Sequence, residues 1–145
     1  MKLTMPYQGM PYIWNVSAHV GVNADKSKNT ATDVELVQRL LIERYKAVPS
    51  KATRAAGIGS LASATGIMDT VTGFEIYWAG DLNGHLSDAE VISPARGGTV
   101  MFGKGMWTIG YLNFKLFKHA RAVWEGFPAL CTTALRTELT TKTTP

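Results

Sequence analysis

The chain has 145 residues, a formal net charge of +4, 46% hydrophobic side chains and a single cysteine, Cys131. That length and apolar content suit one domain with a sizeable core and exclude wholesale disorder, and a lone cysteine excludes an internal disulfide. No apolar run reaches the roughly 20 residues of a membrane span, and the basic residues lack the dense stripe with interleaved aromatics of a nucleic-acid binder.

Residues 1–11 are expected to form an arm, because Pro6, Gly9 and Pro11 interrupt regular structure. Met1 to Pro6 carries one lysine and no apolar stretch, unlike a secretory signal. The expectation is a protein made in the cytoplasm that leaves it, if at all, by a leaderless route. From Tyr12 to Val20 the chain alternates. Tyr12, Trp14, Val16, Ala18 and Val20 face one way, and Ile13, Asn15, Ser17 and His19 face the other, the period of a half-buried strand with His19 on its surface. Residues 1–19 are thus read as arm and strand, and 20–145 as one helical domain with a polar C-terminal tail.

A polar loop from Gly21 to Thr32 leads to the clearest helix, expected at 33–46. Val34, Val37, Leu41 and Tyr45 recur at spacings of three and four, with Leu36 and Leu40 beside them, which makes one broad apolar stripe. Thr32 and Glu35 have the spacing of a capping box, and Asp33 places negative charge where the helix dipole favours it. Gln38 borders the stripe and is read either as an amide bonding to loop backbone or as one facing a ligand.

Ala47 to Thr65 is rich in small residues and reads as a long loop. A second helix is expected at 72–79, capped by Thr72 with Glu75 and stopped by Gly80, with Val71, Phe74, Tyr77 and Trp78 forming a core face. The oxygen-bearing side chains from Asp81 to Asp88 do not have EF-hand spacing, since Leu86 and Ile92 fall where the glycine and glutamate belong. Asp81, His85 and Asp88 are a weak transition-metal set, and Asn83-Gly84 reads as a turn. No metal or cofactor is expected. A third helix is expected at 107–119; Trp107, Ile109, Tyr111, Leu112, Phe114, Leu116 and Phe117 make it apolar on nearly every side, so it is central or shared with a partner. A break, a turn at Phe127-Pro128, a core thiol at Cys131 and a short last helix capped by Thr132 or Thr133 complete the chain.

The charge is polarised. Arg39, Arg44, Lys46, Lys51 and Arg54 cluster, and basic residues return from Arg96 to Lys142. The charged residues between are Asp69, Glu75, Asp81, Asp88 and Glu90. A modest positive face suits an anionic polymer or an acidic partner.

Val20-Gly21, Asn29, Asp33-Val34, Val37-Gln38 and Leu40-Leu41 resemble the opening of the peptidoglycan-binding-domain-like proteins. Gly66, Thr72 and Ile76 continue at the family spacing, while Thr65, Asp69, Glu75 and Ala79-Gly80 replace the family's residues. Val91 to Pro94, Gly97-Gly98, Thr108 and Leu112-Asn113 resemble a later block. The resemblance implies a mainly α (α+β) fold, with a three-helix peptidoglycan-binding-like core, a small β element and a C-terminal helical extension. It implies a non-catalytic module that contacts peptidoglycan or another envelope polymer, with Gln38, Arg39, Tyr77 and Trp78 as candidate contacts. The alternative is a protein-interaction or assembly component, an accessory of a secretion system or phage-like particle, with a partner or second copy on the Trp107–Lys118 helix. A third reading is a wall hydrolase, although no His-Glu-x-x-His motif is present and Glu75 and Glu125 are isolated.

Overall fold

The computed structural model describes residues 1–22, 25–48, 61–84, 90–102, 105–141 and 143–144. About half of the described residues are helical and short strands accompany them, an α+β fold. The expected readings of most of the Ala47–Thr65 loop and of His85 and Asp88 fall outside the described residues.

The first eleven residues are not an arm. They form a hairpin of β1 (Lys2–Tyr7) and β2 (Met10–Trp14). Its two-residue turn places both Gln8 and Gly9 at positive φ, 44° and 88°, as a turn that matches the strand twist requires. The prolines fit because the pairing slips between Thr4 and Tyr7, around Pro6, in a one-residue bulge. Leu3, Met5, Met10, Ile13 and Trp14 are buried in the common core, so residues 1–19 are built into the domain. The expected strand ends at Trp14, and Val20–Gly21 is a separate β3 that pairs antiparallel with β4 (Val91–Ile92). A Cβ at Gly21 would lie 2.1 Å from the Glu90 carbonyl oxygen, so only glycine permits this approach.

Helix α1 (Ala31–Ala47) is more central than a single stripe suggests. Val34, Leu36, Val37 and Leu40 are fully buried, and Glu35, Glu43 and Arg44 are buried with them. It packs against α2 (Thr70–Leu82), α3 (Thr108–His119) and α5 (Thr133–Thr141). The expected capping box is absent, because tertiary partners take both carboxylates. Asp33 accepts from the Ser17 N–H at 2.9 Å, the Ser17 hydroxyl at 2.7 Å, the Ala18 N–H at 3.1 Å and the Thr30 hydroxyl at 2.8 Å. Glu35 accepts from the Thr132 N–H at 2.9 Å and its hydroxyl at 2.6 Å. Thr132 in turn caps α5.

Helix α3 buries Ile109, Leu112, Leu116 and Phe117. Its apolar circumference is used mainly within the fold: Phe114 meets Tyr7 edge-on at 5.0 Å, and Phe117 meets Trp124 at 5.1 Å. The five-residue α4 (Arg121–Glu125) and a 3-10 turn (Phe127–Leu130) follow it and complete an aromatic cluster with Tyr12 and Trp14. Asn113 sits inside this cluster, fully buried, with four hydrogen bonds. It accepts from the Trp14 N–H at 2.8 Å and Trp124 Nε1 at 3.1 Å, and donates to the Trp14 and Ile109 carbonyls, both at 2.9 Å. A small hairpin of β5 (Met101–Phe102) and β6 (Gly105–Met106) precedes α3. The expected polar tail is also ordered in part: Thr143–Thr144 is β7, parallel to β1.

Candidate binding face

Helix α2 faces the opposite way from expectation. Its inner side carries Thr72, Gly73, Glu75, Ile76, Ala79 and Gly80, which are mostly small or polar. Its outer side carries Val71, Phe74, Tyr77 and Leu82, each between 41% and 48% exposed. Small residues inside let the helix lie close to its neighbours, and Val22 sits so near Gly73 that a Cβ there would clash at 2.4 Å. The large aromatics therefore have no room inside. Phe74 and Trp78 meet edge-on at 5.8 Å, as do Tyr77 and Trp78 at 5.6 Å, so the three rings form one connected surface.

The start of α2 also differs from the expected Thr72–Glu75 box. Asp69 is the N-cap, and its carboxylate accepts from the Thr72 N–H at 2.7 Å. Hydrogen bonds from the Thr72 hydroxyl and then its N–H hold the Asp69 carboxyl below its ordinary value. The helix continues through Gly80 to Leu82, and the turn at Asn83-Gly84 closes it.

The four candidate contacts are not brought together. Gln38 is fully buried, and its amide is committed to the chain ahead of α2. Oε1 accepts from the Gly66 N–H at 2.8 Å, while Nε2 donates to the Ile67 carbonyl at 3.0 Å and the Thr72 hydroxyl at 2.9 Å. It is the loop-bonding glutamine, because no polar atom of its amide is left for a ligand. Arg39 lies 3.7 Å from Glu43 and lines a recess of about 250 Å³ with Ile42, Tyr45, Lys46, Leu61 and Ala62. Tyr77 and Trp78 are not among that recess's walls. Tyr77 is exposed and Trp78 half-buried on the outer face of α2. The exposed apolar residues near α2 that sequence reasoning missed are Ile67, 67% exposed, just ahead of the helix, and Val22, 53% exposed, on the Gly73 side. Neither belongs to a helical repeat, so periodicity held no signal for them.

Other candidates resolve differently. Cys131 is buried, and burial first, then the negative charge of Glu35, pushes its thiol up to about 12, which leaves almost no thiolate at neutral pH. His19 is half-buried rather than a surface group, with Nδ1 2.9 Å from the Ser93 hydroxyl. Among the described residues, no three or more His, Cys, Asp or Glu side chains are grouped to hold a metal ion. None of the described helices is long and apolar enough to cross a membrane. Comparison with protein-family models, with curated proteins and with solved structures finds no match to this chain.

Proposed function

We propose that the chain is a non-catalytic binding module that docks a protein partner through the outer face of α2, as an assembly component would. One observation carries this reading: α2 turns its small and polar residues inward and its large apolar residues outward. Six of the seven large hydrophobic residues exposed among the described residues lie on or beside it: Val22, Ile67, Val71, Phe74, Tyr77 and Leu82. Large apolar side chains exposed on one helix face mark an interaction site, and aromatic rings set among aliphatic side chains are the composition of an interface centre.

A second reading keeps the envelope polymer that the resemblance implies. It is favoured by the rings of Phe74, Tyr77 and Trp78, whose flat faces suit the C–H faces of sugar rings. Gln38 would have no part in that contact and Arg39 would serve a separate surface.

A photo-crosslinking side chain at Phe74, in cells that express the protein, tests the first reading. A discrete protein adduct that disappears with Val71→Ser and Tyr77→Ser is the expected outcome. Co-sedimentation with purified sacculi, lost in the same variants, would transfer the surface to the polymer. If neither is seen, the face is not a docking surface.

A further inference from the structure

Arg44 is a buried cation with no described acid beside it. The residue is 6% exposed, and its Nε and Nη1 are buried without a hydrogen-bond partner among the described residues. Nη2 donates to the Tyr111 hydroxyl at 3.2 Å. The neighbouring carboxylate, Glu43, faces Arg39 at 3.7 Å and Lys46 at 3.4 Å instead. An uncompensated buried charge is costly, and its retention calls for an explanation. A second cation lies beside the same ring. Lys115 Nζ lies 5.6 Å from the Tyr111 ring centroid and Arg44 Cζ 5.9 Å from it. Each cation is attracted to the ring, and together they give the surroundings of Tyr111 a positive charge that favours an anion. The Tyr111 hydroxyl accepts from Arg44, so its own proton is free to donate, and that proton has no acceptor among the described residues.

We propose that Tyr111, Lys115 and Arg44 form a site for a phosphate monoester group. The half-buried Tyr111 donates its O–H to a phosphate oxygen, and the half-buried Lys115 brings its ammonium alongside. Arg44 supplies the second positive charge from behind, through its bond to the phenol oxygen. Two cations match the charge of about −1.5 to −2 that a phosphate monoester carries at neutral pH, which a single carboxylate does not. The site uses no residue of the outer face of α2, so it stands whichever target binds there. The group's source is either a phosphorylated sugar or a phosphorylated side chain.

Thermal melting and calorimetric titration of the whole chain test this, first with inorganic phosphate against chloride at matched ionic strength. A saturable rise in melting temperature with phosphate alone is expected. Tyr111→Phe and Lys115→Ala should each weaken phosphate binding by about tenfold or more, as loss of a hydrogen bond to a charged group does. Arg44→Met should abolish binding yet melt no lower than the parent chain, because it removes a desolvated charge. Should Arg44→Met fail to fold, the two half-buried positions carry the test. A stronger response to glucose 6-phosphate than to O-phosphoserine assigns a sugar phosphate; the reverse assigns a side chain, and equality assigns the phosphate group itself. Equal effects of phosphate and chloride, or unchanged binding in both Tyr111→Phe and Lys115→Ala, would overturn the proposal.

Discussion

Side-chain amides stand in for backbone partners at several irregular points among the described residues. Asn29 brackets Gly21, accepting from its N–H and donating to its carbonyl at 2.9 Å each, from a backbone held at φ 50°. Asn15 does the same for Ala95 at 3.0 and 3.1 Å, and Gln38 for Gly66 and Ile67. An amide carries one acceptor and one donor group, so it can replace a missing strand. Asn113, like Gln38, makes four hydrogen bonds, and all of its bonds are buried. Asn113→Ala strands the Trp14 N–H, the Trp14 carbonyl and Trp124 Nε1, each worth about 1–3 kcal/mol when buried and unsatisfied. A fall in stability of roughly 3 kcal/mol or more is expected, read as a lower urea midpoint at unchanged slope. An unchanged midpoint would show that the amide is dispensable. Its position on a helix was legible, but its role was not, since Trp14 lies 99 residues away in sequence.

Elements were easier to find than to orient. The periodicity of α1 and α3 locates both helices to within a few residues of their observed bounds. For α2 the same reading finds the aromatic face and assigns it to the wrong side. Spacing tells which residues share a face, and the size of the space beneath decides which face goes in. Caps fail for a related reason: Thr32–Glu35 and Thr72–Glu75 fit a local rule, but distant N–H groups compete for Glu35, and Asp69 lies better placed for α2. Asp69→Ala is expected to cost about 1 kcal/mol. The Asp69 carboxyl has a folded-state value below its ordinary 3.8, so its contribution is present above that pH and is lost as pH falls through the lower folded value. Melting curves of the parent chain and Asp69→Ala should therefore converge in strong acid. A difference that persists unchanged there would exclude the carboxylate as its source.

At the scale of the molecule, one sheet ties the two ends of the described chain together. β1 lies between β2 and β7, so residues near 2 and 143 are neighbours. Shortening the chain to end at Thr141 leaves one side of β1 unpaired, and an open strand edge invites association. Reduced hydrogen-exchange protection at Lys2 to Thr4 is expected, with a melting point lowered by roughly 2–4 °C for each kcal/mol lost. A shortened chain with unchanged exchange at β1 would show that β7 contributes nothing.

By itself the sequence determined the α-rich class, the places of the main helices, the turn at Asn83-Gly84 and the buried thiol at Cys131. These depend on local spacing, on turn chemistry and on the aversion of apolar groups to water. Tertiary structure alone decided the outward face of α2, the commitment of Gln38 to a loop, the hairpin made by Gln8 and Gly9, and the meeting of Arg44 with Tyr111. Each of these depends on which distant segment occupies the neighbouring space, and that is set by the packing of the whole chain rather than by any window along it.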